Sequence, residues 1–387
     1  MRQSTWPVGV FAVVLLFGAA VTGPGTGAHI AQAALWSSDF DDDDDVDLAD
    51  FAAFAACFNG PNRPPAAACE GDADLDGDGD VDLADFAIFA ACFNGPNRPP
   101  VCAPDIPPGM VRIPAGEFEM GDSFNEGHND GRELPVHAVW VDAFYMDEFP
   151  VAQERWDAVR AWATSNGYDL DDVGAGKAID HPIQTVNWHD CAKWCNARSQ
   201  KEGRTACYYT DAELTTVYTT DELVPFVKWD ADGYRLPTEA EWEKAARGGA
   251  TGRRFPWPDS DDIQHARANY FSSTNYSYDT SPTRGFHPIF AVDAHPYTSP
   301  VGYSAPNGYG LYDMAGNVWE WCNDWFGSDY YGSSPSSNPR GPADGEYRVI
   351  RGGCWGDLAY FCRVAYRHSF WPGNRDFILG FRCVVKK

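Results

Sequence analysis

Two stretches near the N-terminus place aspartates at alternate positions, a spacing that lets a chain wrap a hard cation. In the second stretch, Asp74, Asp76, Asp78, Asp82 and Asp85 fall at positions 1, 3, 5, 9 and 12 of a calcium loop. Asp80 takes position 7, where a backbone carbonyl serves, and Gly79 sits where the loop turns sharply. Calcium needs six to eight oxygens, and short carboxylates at alternate positions converge on one point. The first stretch supplies Asp39, Asp41, Asp43, Asp47 and Asp50, with Asp44 in place of the glycine, so weaker binding is expected there. Both copies end on Asp rather than the bidentate Glu of EF-hands. An acidic run is otherwise a solvated tail, and the position-by-position match favours calcium.

The two loops belong to a duplication. Residues 45–65 read DVDLADFAAFAACFNGPNRPP and residues 80–100 read DVDLADFAIFAACFNGPNRPP, a repeat with a period of 35 that differs only at Ala53 and Ile88. After each loop the spacing predicts a short helix. In the second copy it sets Phe86, Phe89, Ala90 and Phe93 on one face. Cys57 with Cys69 and Cys92 with Cys102 is one of three connectivities open to these four cysteines. A paired loop and helix with Asp at the last loop position resembles a dockerin. The resemblance spans residues 39–102 and implies a cohesin-like module as partner. Residues 103–108 are Pro-rich and read as a semi-rigid spacer.

The surrounding composition narrows the class. The chain has 387 residues, a net charge of -27 and no basic patch, which excludes nucleic acid as a partner class. Residues 1–33 read as a signal peptide: Arg2 is the positive end, Val8 to Val21 the apolar run, and Ala31-Gln32-Ala33 the cleavage site. That run is short for a membrane span of about 20 apolar residues. The expectation is an exported chain, secreted, periplasmic or on the cell surface, without a membrane span once the signal is removed. Eleven cysteines suit an oxidising compartment, and their odd number leaves at least one thiol differently used.

From residue 109 onward the chain changes character. MVRIPAGEFEMGD alternates and breaks at glycines as a hairpin would, and HAVWVDAFYMDEFPV reads as another strand. Residues 153–163 and 190–203 have helical spacing. In TEAEWEKAARGG, Thr238 caps a helix, Glu241 completes a capping box and Gly248 stops it. Beyond Gly249 little regular structure is expected. Motifs GYRLPTEAEWEKAARGG (233–249), PNGYGLYDMAGNVWEWCNDW (306–325), RVIRGG (348–353) and LGFRCV (379–384) are similar, in order and spacing, to those of the sulfatase-modifying factors, or formylglycine-generating enzymes. PAGEFEMGD (114–122) and VNWHDCAKWCN (186–196) add to the likeness, which covers about 109–385. It implies an α+β fold, C-type-lectin-like and low in regular secondary structure, over a domain at 109–387.

The resemblance carries a set of site residues. In GLYDMAGNVWEW it implies calcium held by Asp313, Gly316, Val318 and Glu320, with Gly316 and Val318 giving carbonyls. Carboxylates flanking a glycine make physical sense as a cation loop. A second family site starts at Asn269 and Tyr270, with Asp279 as the later acid. A disulfide is implied between Cys195 and Cys383, while the family's other pair is replaced by Ala246 and Val364. Arg351, Arg363 and Arg367 alternate with aromatics such as Trp355 and Trp371 in the region that lines the family's peptide cleft, where guanidinium groups grip carboxylates or carbonyls.

The copper pair of the formylglycine-generating members is broken. Counted from the glycines of GGCWGDLAYFCRVAYR (352–367), the first copper cysteine is Asp357 and the second is Cys362; anchored on RVAYR, the second falls at Ala359. Soft thiolates suit Cu(I) and a carboxylate does not. Cys354 and Cys362 remain as candidate catalytic residues, a displaced copper pair or partners in a structural bridge. No HxH, HxE or HExxH spacing supports a non-haem iron site, the alternative used elsewhere in the wider family. Two readings follow: a diverged module that binds peptide, protein or glycan, or an oxidase acting on protein cysteine. For the acidic module, circular dichroism of residues 39–102 is expected to gain helix on adding calcium and lose it in EDTA; an unchanged spectrum rejects the calcium loops.

Overall fold

The computed structural model describes residues 48–58, 81, 86, 89, 90, 106–127, 131–171 and 173–386. The leader, the loop aspartates other than Asp50, and the spacer through Asp105 lie outside them. The chain divides into two compact units, residues 1–104 and 105–387.

In the first unit, helix α1 (Leu48–Cys57) follows the first acidic loop and buries Asp50, Phe54 and Cys57. The duplication packs on itself through equivalent rings. Phe54 stacks on Phe89 at 5.1 Å and Phe51 meets Phe86 at 6.2 Å. The predicted phenylalanine face is therefore the contact between the copies.

The second unit is built on two small sheets. One has the order β1 (Met110–Ile113), β4 (Phe144–Asp147), β12 (Val384–Lys386), β7 (Tyr234–Arg235), all antiparallel. The other runs β10 (His368–Phe370), β9 (Arg348–Arg351), β8 (Trp319–Trp325), β11 (Leu379–Gly380), with β11 parallel to β8. Strands β2 (Gly116–Met120) and β3 (His137–Val141) form a separate ribbon, as do β5 (Tyr208–Tyr209) and β6 (Phe226–Val227). Two sequence expectations are corrected. The segment MVRIPAGEFEMGD is two strands that do not pair with each other, because β1 joins β4 and β2 joins β3. The expected single strand after His137 breaks at Asp142 and Ala143, so that β3 serves the ribbon with β2 and β4 serves the first sheet.

The helices follow their caps. Helix α2 is Gln153–Thr164 and α3 is Trp188–Lys201, where Asn187 and Asp190 form a capping box that the sequence reading missed. Helix α4 is Glu239–Arg247, with Thr238 and Glu241 as its capping box and Gly248 in the left-handed region. Asn307 closes its far end, donating from Nδ2 to the carbonyl of Ala245 at 2.7 Å while its Oδ1 accepts from Tyr309 and Leu311. The PNGYG motif is thus a helix terminator in three dimensions. Between α4 and β8 the described chain is loop, as expected, yet β8 is a seven-residue strand buried along its whole length.

Charged side chains bind α4 to the second sheet. Arg351 of β9 is fully buried and donates to Glu243 at 2.5 Å, to Glu239 at 3.2 Å and to the carbonyl of Val364 at 2.7 Å. Arg367 grips Glu239 with two bonds of 2.6 and 2.7 Å, and Arg363 grips Glu133 at 2.9 and 3.1 Å. The expected cleft role of Arg351, Arg363 and Arg367 is corrected here. All three are buried and ion-paired inside the protein, with Arg351 Nε left without a partner, since a buried guanidinium must be paired. Cys195 of α3 and Cys383 stand with sulfurs 3.5 Å apart as contacting free thiols; an S–S bond is about 2.05 Å. Removing one partner of a buried pair leaves an uncompensated charge, so Arg351→Met is expected to cost about 3–5 kcal/mol in urea unfolding. A loss below about 1 kcal/mol, the scale of an exposed pair, rejects this role.

Candidate functional site

The loop after β9 brings the broken copper motif into one buried corner. Gly352 and Gly353 take positive φ, and a Cβ on Gly353 would meet the Cys362 sulfur at 2.9 Å, so the turn needs glycine to let Cys362 in. Cys354 and Cys362 are both buried. The Asp357 carboxylate accepts from the Cys354 backbone N–H at 3.1 Å and is also hydrogen-bonded by the Cys354 thiol and the Trp319 indole. Burial pushes Asp357 above the usual carboxylate range. Burial, with the nearby Asp357 charge, pushes both thiols well above their ordinary value. Among the described residues, no group of three or more His, Cys, Asp or Glu side chains is placed to hold a metal. The two cysteines come together beside Asp357.

Sequence reasoning missed three members of this corner. Trp319 of β8, Tyr366 and His368 of β10 surround it, with the Trp319 ring 6.0 Å from Tyr366 and 5.6 Å from His368. Their motifs identify strands, and only the pairing of β8 with β9 and of β9 with β10 sets them beside Asp357. Of the expected cleft residues, Trp355 is buried against His295 (5.2 Å), Tyr297 (5.2 Å) and Phe377 (5.9 Å), and its Nε1 has no partner. Trp371 is half exposed.

The two expected cation loops lie side by side. Asn269 bridges to Gly316, and the Asn269 carbonyl accepts from Asn317 N–H at 2.8 Å. A Cβ on Gly316 would come within 2.2 Å of that carbonyl, so only glycine fits. The Asn269 Oδ1 is buried and unpartnered, an acceptor open to a cation. Asp313 accepts from Gly302 N–H at 2.7 Å, and burial, aided by the Glu320 charge, pushes it up to about 6. Two carboxylates held together in this way suit a cation. Glu320 is partly engaged: Oε2 accepts from Arg382 at 2.7 Å and Trp242 at 2.8 Å, and Oε1 takes a single bond from Arg382 at 2.7 Å. Val318 is buried between these residues in sequence. Asp279 is corrected as a ligand. Tyr270, Ser272, Ser281 and Arg284 donate to its Oδ1 and Ser273 to its Oδ2, so it is a hydrogen-bond hub for its own loop. The Tyr270 carbonyl is likewise engaged by His265 at 3.1 Å.

With this geometry in hand, similarity to known proteins is specific. The family described as "Sulfatase-modifying factor enzyme 1-like domain" matches residues 99–387. A formylglycine-generating enzyme of Streptomyces coelicolor is 37% identical over 293 residues, covering 71% of this chain and 88% of that protein. A serine/threonine-protein kinase pkn1 of Chlamydia pneumoniae is 36% identical, with 71% of this chain matching 37% of that one. Among solved structures, Treponema denticola variable protein 1 superposes with a TM-score of 0.55 at 30% identity, covering 72% of this chain and 95% of its own. By its buried motif residues, its fold and these relatives, the chain belongs to the sulfatase-modifying factor family, whose members include the formylglycine-generating enzymes.

Proposed function

We propose that this chain is an exported, diverged family member that binds a peptide, protein or glycan ligand and does not generate formylglycine. The observation that carries the reading is Asp357, a buried carboxylate at the position of the first copper cysteine, hydrogen-bonded by the Cys354 thiol. A hard carboxylate is a poor Cu(I) ligand. Calcium at Asp313 and Asn269 would brace the loops beside this corner, drawing on the free Asn269 Oδ1. The acidic module would supply further calcium and a cohesin-like partner. In an oxidising compartment, Cys195 and Cys383 would close as a disulfide, their sulfurs already in contact.

The rival reading, an active oxidase, draws on the placing of Cys354 and Cys362 together beside Asp357. Incubating copper-treated protein with a Cys-X-Pro-X-Arg peptide and oxygen separates the two. No product is expected. A peptide mass loss matching thiol-to-aldehyde conversion, abolished by Cys362→Ser, overturns the proposal. Non-reducing peptide mapping of the exported protein is expected to join Cys195 to Cys383, and a free Cys383 rejects that bridge.

A further inference from the structure

Away from the corner described above, a cavity of about 120 Å³ opens where the β3–β4 turn meets the cap of α4. Its walls are Asp142, Trp229, Arg235, Thr238, Asn338, Arg340 and Lys386, with Glu241 behind Arg235. What distinguishes it is an excess of unused donors. Arg235 is paired with both oxygens of Glu241 at 2.7 Å, and Glu241 Oε2 also accepts from Thr238 N–H at 2.8 Å. Asp142 Oδ1 accepts from Trp140 Nε1 at 3.0 Å. The Asn338 Oδ1 accepts from Asp142 N–H at 2.9 Å, which orients its amide so that Nδ2 keeps a hydrogen to give. Thr238 Oγ1 accepts from Glu241 N–H at 3.2 Å, and its hydroxyl is engaged by the Glu241 carboxylate. Among the described residues neither Arg340 nor Lys386 makes an ion pair.

Arg340 is also held in a fixed plane. Its guanidinium lies 4.1 Å from the Trp229 ring centroid, and Arg235 lies 5.3 Å from the same ring. Stacking on indole leaves the edge of a guanidinium, with its fork of N–H donors, free to face a partner. Burial and the neighbouring Arg235 charge lower the Arg340 pKa, outweighing the attraction of Glu241 and Asp142. Two unpaired cations are kept side by side in a chain whose net charge is -27. The space has room for one acidic group.

We propose that this cavity is an oxyanion site that takes a single carboxylate, sulfate or phosphate group of a ligand, with Arg340 as a bidentate donor and Lys386 and Asn338 completing its coordination. It is independent of the Asp357 corner and of the calcium loops. The test is phenylglyoxal labelling of the full-length protein, with Arg340 and Arg160 followed separately by mass spectrometry. Acetate, sulfate and phosphate are compared with chloride at equal ionic strength. At least one of the three is expected to slow labelling of Arg340 about fivefold, as 1 + [L]/Kd gives once the anion reaches about four times its Kd. Arg160, on α2 beside Asp157, is expected to stay unchanged. Which anion protects identifies the acid. Lys386→Gln, at the end of β12 and outside any ion pair among the described residues, is expected to remove most of the protection. Equal rates in all four salts, or equal slowing of Arg340 and Arg160, overturns the site.

Discussion

The pairing of Arg351 with Glu239 and Glu243 holds the second unit together. A 9-residue helix has little stability of its own. Here its buried face carries two carboxylates that only a buried cation can neutralise, and that cation comes from β9. Arg247 shares Glu243 at 2.6 Å, and Gly121 N–H donates to the same carboxylate at 2.8 Å, so the β2–β3 ribbon is drawn in as well. Arg367 ties the far side of the cysteine loop to Glu239. The loop that bears Cys354, Asp357 and Cys362 therefore hangs between two fixed points, Arg351 before it and Arg363 and Arg367 after it.

This framework explains why a changed reaction site need not disturb the fold. Glu239, Trp242, Glu243, Glu320, Arg351 and Arg382 form the family motifs, and in this chain they bond mainly to one another. Trp242 and Arg382 meet at Glu320, which links α4, β8 and the last strand in one contact. Around them sits an apolar cluster that includes Val139, Phe144, Met146, Met314, Val349 and Val384. The residues that would set the chemistry lie outside this set. Replacing a metal thiolate by Asp357 changes the local charge and leaves the ion-pair framework untouched. Such a scaffold can carry catalysis in one relative and recognition in another, because fold and site are held by different residues.

The same separation applies to the cavity beside Arg340. Arg235 and Glu241 are needed to start α4, since Glu241 caps Thr238 while gripping Arg235. Arg340, Lys386 and Asn338 lie around that structural pair, and neither Arg340 nor Lys386 forms an ion pair among the described residues, although Asp142 shares the wall. The fold supplies the wall, and the surplus of positive charge is what remains for a ligand.

Local order and family were legible in the sequence. The capping box of α4, the helix at 153–163, the duplicated phenylalanine face and the glycine-rich cation loop follow from spacing and short-range chemistry, which act within a few residues. Strand partners were not legible, since the alternation in β1 and β2 says which face is apolar and nothing about who pairs with whom. The roles of the arginines were hidden for the same reason. Arg351 and Glu243 are 108 residues apart, and an arginine among aromatics reads alike whether it faces a cleft or a buried glutamate. Asp279 looked like a ligand until its oxygens were seen to be filled by five donors of its own loop. Burial decides these cases, because only the assembled structure fixes which charges are removed from water and which partners are within reach.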